Sequence, residues 1–115
     1  MIKIKLVINN EAQKRDKEKF FVKKELQSIL NLYAKMVSNG SWKDYSFTSG
    51  NREISFNVYQ RASEKPVIRI LKNLKPKYLN EKYLIKDRNG IIVKKSENLS
   101  ILIDKTSWNK LRLIN

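Results

Sequence analysis

Between Val22 and Val58 the spacing of apolar residues changes period, and that change restricts the fold more than any other feature of the chain. Val22, Leu26, Ile29, Leu30, Tyr33, Met36 and Val37 recur at intervals of three and four, which places them on one stripe of an α-helix. Lys23, Lys24, Gln27, Asn31 and Lys35 take the other side. Asn39-Gly40 then supplies residues that tolerate the left-handed backbone at which helices commonly stop. Beyond it the interval falls to two. Tyr45 and Phe47 alternate with Ser46 and Thr48, while Ile54, Phe56 and Val58 alternate with Ser55, Asn57 and Tyr59. With Ser49-Gly50-Asn51 between them as a turn, the two runs predict a hairpin.

Pro66 opens a third strand over residues 67–71, since proline is tolerated at a strand's first position. Residues 73–80, which include Pro76, read as a loop. Two further apolar runs, 83–87 and 91–95, flank Arg88-Asn89-Gly90 and predict a second hairpin with a type I′ turn, whose central residues need positive φ. Ser96 reads as the N-cap of a short helix carrying Leu99, Leu102 and Ile103, with Glu97 near the positive end of its dipole. At the other terminus Ile2, Ile4, Leu6 and Ile8 alternate with Lys3, Lys5 and Val7 as a half-buried strand. The expected architecture is α+β: an antiparallel sheet built as a meander of hairpins, one long amphipathic helix packed on one face, and a short C-terminal helix. The 115 residues predict one domain, with an N-terminal strand and charged connection over 1–20, a core over 21–104 and a tail over 105–115.

Composition removes most catalytic chemistry. Without cysteine or histidine there is no thiolate nucleophile, no ordinary zinc ligand set beyond carboxylates and no imidazole base. Gly40, Gly50 and Gly90 lie too far apart for a phosphate-cradling glycine loop. Asp44, Asp87 and Asp104 stand singly, and Ser63 has only Lys65 nearby as a candidate base, so it reads as a turn residue. These features predict a protein that is not an enzyme and uses no cofactor. No apolar run reaches the length of a membrane span and no secretory signal is recognisable, so the expected location is the cytoplasm.

The net charge of +14 points towards polyanions. The 19 lysines accompany 12 asparagines and 13 isoleucines, all three served by A/T-rich codons, so genome composition accounts for part of the excess. The charge is nonetheless concentrated: residues 61–95 hold 11 basic and 3 acidic side chains, interleaved with Tyr78 and Tyr83 and following Tyr59. Cations release counterions from phosphates and aromatic faces stack on unpaired bases. The leading expectation is therefore RNA or single-stranded DNA, with Arg61, Lys65, Arg69, Lys94 and Lys95 on phosphates and Tyr59 stacking. Lysine-lined strands also serve simply to solvate a sheet edge. A third reading is a protein-interaction module for an acidic partner, using Trp42, Tyr45, Ser63 and Glu64 of the 61–66 loop. Trp42 and Trp108 otherwise read as packing residues.

Several segments together resemble a small bacterial family catalogued as domain of unknown function 2794. They are Glu25-Leu26 through Leu32-Tyr33 to Met36-Val37, then Trp42-Lys43-Asp44-Tyr45, then Phe56 through Arg61-Ala62-Ser63-Glu64-Lys65-Pro66 with Arg69-Ile70, and Gly90-Ile91-Ile92-Val93-Lys94. Arg-Ala-Ser-Glu-x-Pro is the most specific of them. The resemblance covers about residues 21–104 and implies domain limits, with no activity attached.

Overall fold

A computed structural model describes residues 20–61 and 65–108. The strand expected over residues 2–8, the connection that follows it, Ser63, Glu64 and the last seven residues lie outside the described residues.

The period switch at Gly40 is realised as one helix followed by a sheet. Helix α1 (Lys23–Ser38) buries Leu26, Ile29, Leu32 and Met36. Its stripe is rotated slightly from the expected one: Leu32 is inside and Val37 is exposed. The helix packs against a second helix as well as the sheet, so its apolar surface spans more than one line of residues. Val22 has no side-chain oxygen to cap the first turn. Instead the Glu25 carboxylate reaches back and accepts the Val22 N–H at 2.7 Å. At the other end Gly40 adopts φ +82, and the N–H groups of Gly40 and Ser41 donate to Val37 and Met36 carbonyls in a Schellman closure.

The chain then forms strands β1 (Asp44–Ser49), β2 (Glu53–Tyr59), β3 (Ile68–Asn73), β4 (Tyr83–Asp87) and β5 (Ile92–Ser96), paired antiparallel in sequence order. A single 3₁₀ turn, Leu79–Glu81, precedes β4, and helix α2 (Leu99–Lys105) follows β5. The expected meander of hairpins with one long and one short helix is thus the observed α+β fold.

Register decides which side chains meet α1. Phe47, Phe56, Ile70 and Ile85 stand in one cross-strand row, and Tyr45, Val58 and Ile68 in the next. Phe56, Val58, Ile70 and Ile85 have no accessible surface. Ring contacts extend this core from Phe20 and Phe21 through Phe47, Phe56, Tyr45 and Tyr33 to Trp42, whose ring meets Trp108 edge-on at 5.6 Å.

Two local expectations change. The 87–91 turn is not type I′, because Asn89 has negative φ and only Gly90, at +80, is left-handed. Asp87 Oδ1 accepts from the N–H groups of Asn89 and Ile91, and the Asp87 carbonyl accepts from Gly90. These bonds favour a three-residue loop that closes on the glycine. Nor is Ser96 the N-cap of α2. It ends β5 opposite Tyr83, and Asn98 caps the helix by accepting from Ile101 N–H at 3.1 Å. The Ser96 backbone is still paired in the ladder, and its Oγ accepts from the Asn98 N–H at 3.1 Å, ahead of the first helical turn.

One charged pair lies on the apolar face. Lys72, opposite both Ile54 and Tyr83, donates to Glu25 Oε1 at 2.8 Å and to the Phe20 carbonyl at 3.0 Å. The Tyr83 hydroxyl donates to the other carboxylate oxygen. Glu25 therefore ties the start of α1 to β3 and β4. We expect Lys72→Met to lower stability by about 3 kcal/mol in urea unfolding, because it strands a buried carboxylate, and Glu25→Gln with Lys72→Met to recover most of that loss. A loss under about 1 kcal/mol for the single variant would contradict the role given to the pair.

Burial, then the hydrogen bond to Glu25 and its charge, raise the Tyr83 phenol well above its ordinary 10.0. The unfolded chain therefore ionises this tyrosine first. Its contribution is intact below about pH 10 and is lost as pH rises further. Urea midpoints measured across this alkaline window should fall less steeply for Tyr83→Phe than for the parent protein.

Candidate nucleic-acid interface

Since α1 covers one face of the sheet, alternate residues emerge on the other. One cross-strand row there reads Ser46, Asn57, Arg69, Lys86 and Ile92, and the next Thr48, Ser55, Leu71, Leu84 and Lys95. Asn57 organises the face. Its amide nitrogen donates to Ser46 Oγ at 3.1 Å and Thr48 Oγ1 at 2.9 Å, and its oxygen accepts from Ser55 Oγ and Arg69 Nε. Arg69 also donates to Ser55 Oγ at 3.2 Å and lies 4.0 Å from Glu53. The Tyr59 hydroxyl and Ser46 Oγ lie 3.0 Å apart, which anchors the half-buried Tyr59 ring to the same network. Each polar side chain is thus held by its cross-strand neighbours: Ser55 and Asn57 are buried at the centre of the network, and Arg69, Tyr59 and Thr48 are its more accessible members.

The residues expected to bind nucleic acid are only partly gathered. Tyr59, Arg69 and Lys95 share this face. Lys94 is on the opposite side, opposite Ile85, where its ammonium donates to the Lys105 carbonyl at 2.7 Å. There it neutralises the C-terminal end of α2. Arg61 and Lys65 are exposed in the β2–β3 connection, past the end of the strands. Of the residues assigned to a protein partner, Trp42 is only 3% exposed and belongs to the core, and Tyr45 stacks on Phe56 at 5.4 Å.

Other cations reach this face. Lys86 is the cross-strand neighbour of Arg69. A groove of about 290 Å³ along the edge of the face is lined by Arg52, Glu53, Asn73, Lys75, Lys77 and Glu81, with Leu71 and Leu84 contributing apolar surface. Arg52 is distant from the dense basic run of the sequence. The Glu53–Asn73 pairing brings it to Lys75, and only the strand register reveals that. The acids here are engaged: Glu53 with Arg69, and Glu81 with Lys95 at 3.8 Å. Among the described residues no carboxylate pairs with Arg52, Lys75 or Lys77.

A second cleft, of about 350 Å³, lies between the start of α1, β4 and the start of α2, and includes Lys24, Glu25, Lys82, Tyr83 and Glu97. Glu25 and Tyr83 are committed there to each other, and Glu25 also to Lys72 and the Val22 amide. No helix among the described residues is long and apolar enough to cross a membrane.

Fold and surface together define a small basic α+β protein in which a five-stranded antiparallel meander keeps one face for its helices and carries on the other a buried polar network flanked by cations. The chain belongs to the family described as Protein of unknown function (DUF2794), whose model matches residues 19–103, from just before α1 into α2. No curated protein and no solved structure matches the chain.

Proposed function

We propose that this protein binds single-stranded nucleic acid, RNA or DNA, on the sheet face opposite α1, without catalysing a reaction. The observation that carries this reading is the charge imbalance of that face. Arg52, Arg69, Lys75, Lys77, Lys86 and Lys95 surround it, against Glu53 and Glu81, each of which is already paired with one of those cations. Cations on adjacent strands offer a flexible phosphate chain several contacts at once, and each contact releases condensed counterions. A single strand suits the surface better than a duplex, since unpaired bases stack on a fixed ring such as Tyr59 while the exposed Thr48 hydroxyl is placed to meet a base edge.

The rival protein-interaction reading has less support, because Trp42 is buried and Tyr45 is packed among aromatic rings. It would be favoured by a cellular complex that survives nuclease treatment.

With about four phosphates contacted, affinity for a single strand should fall about 50-fold between about 50 and 200 mM salt, from a slope near −0.7 per phosphate. Fluorescence anisotropy of a short labelled oligonucleotide measures this directly. An affinity indifferent to salt, or no binding to RNA or DNA strands at the low salt concentration, would remove the reading.

A further inference from the structure

The groove where the β1–β2 turn meets the β3–β4 connection carries the inference furthest. We propose that Arg52, Lys75 and Lys77 form a phosphate-anchoring subsite there, and that Tyr78 stacks on the neighbouring unpaired base of a single-stranded nucleic acid. The proposal rests on the nucleic-acid reading and adds to it a defined anchoring end.

Three observations converge on this subsite. First, the cations are placed by backbone bonds and do not sit on unconnected loops. Leu74 N–H donates to the Arg52 carbonyl and Asn73 N–H to the Lys82 carbonyl, both at 2.7 Å, and Lys75 N–H donates to Asn73 Oδ1 at 3.1 Å. The β1–β2 turn and the segment after β3 are therefore stitched together, and three positive side chains line one concavity.

Second, none of the three cations has an ion-pair partner among the described residues. The two carboxylates lining the groove face cations from elsewhere on the sheet, Arg69 and Lys95, so Arg52, Lys75 and Lys77 have no internal anion among the described residues. Like charges held together at the cost of mutual repulsion favour an external anion. The apolar surface of the partly exposed Leu84 strengthens that attraction by excluding water from part of the wall. Third, Tyr78 is 59% exposed, and its ring centre lies 5.7 Å from Lys77 Nζ. An aromatic ring beside a groove cation places a base-stacking surface within one nucleotide of a phosphate contact.

The test compares variants of the full chain in anisotropy titrations with one labelled oligonucleotide across a salt series, after checking that thermal melting is unchanged. Lys75→Gln with Lys77→Gln should weaken binding and make the salt slope shallower by about 1 to 2. Tyr78→Ala should weaken binding about 10-fold at every salt concentration and leave the slope intact, and Tyr78→Phe should restore affinity. A matched pair on α1, Lys23→Gln with Lys35→Gln, removes the same charge away from the groove and should change affinity less than two-fold. Equal losses from both lysine pairs, or full affinity in Tyr78→Ala, would overturn the subsite while leaving the nucleic-acid reading standing. A parent protein that binds no strand at low salt would end both.

Discussion

The burial of the apolar face of β2, β3 and β4 beneath α1 is the constraint on which the rest of the molecule depends. Ile54, Phe56, Val58, Ile70 and Ile85 are removed from water on one side, and a one-residue slip in any ladder would turn its strand's apolar set outward. Because the register cannot slip, the residues between them are fixed just as firmly on the other face. Ser55, Asn57 and Arg69 owe their alignment to their apolar neighbours in sequence, although none touches the helix face. The arrangement of the opposite face is thus a by-product of core packing, held to the same precision.

Charge follows the same division. Where a cation falls on the helix side, the fold gives it a specific partner: Lys72 has Glu25 and a carbonyl, and Lys94 has the end of α2. On the outer face the pairing is sparser and wetter, with Arg69–Glu53 and Lys95–Glu81 at 3.8 to 4.0 Å and partly exposed. Such pairs contribute little to stability. Their consequence is electrostatic, since they engage Glu53 and Glu81 of the groove and leave Arg52, Lys75 and Lys77 without an ion-pair partner among the described residues. β5, an edge strand, shows a related device. Its register skips Val93 opposite the Ile85–Lys86 step, and such a bulge disrupts the regular edge that another strand would need for pairing.

Much of this fold was legible in the residues, because hydrophobic period reports local geometry directly. The helix ending at Asn39-Gly40 and the alternation through Phe56 required no knowledge of distant partners. The turn at Gly90 was legible as a hairpin but not as a turn type. Asp87 decides that through a side-chain bond to the amides of Asn89 and Ile91, and dipeptide preference does not encode it. Ser96 misled because a serine before an apolar run satisfies the capping pattern whether or not a ladder still holds it. The site was read less completely. Lys94 and Lys95 are adjacent in sequence and therefore point to opposite faces, so a count of charge along the chain merges two unlike roles. Arg52 lies outside the basic run and joins it only through the pairing of Glu53 with Asn73. Trp42 offered no signal of exposure, and its ring lies against Trp108 and Tyr33.

Nucleic acid bound as proposed would occupy the sheet face opposite α1. Amide chemical-shift mapping of the isotopically labelled protein during titration with a short single strand tests it most directly. The account predicts shifts concentrated at Ser55, Asn57, Arg69, Lys75, Lys77 and Lys86, with the amides of Lys23–Ser38 nearly unmoved. Shifts centred on α1, or none at saturating oligonucleotide, would contradict it.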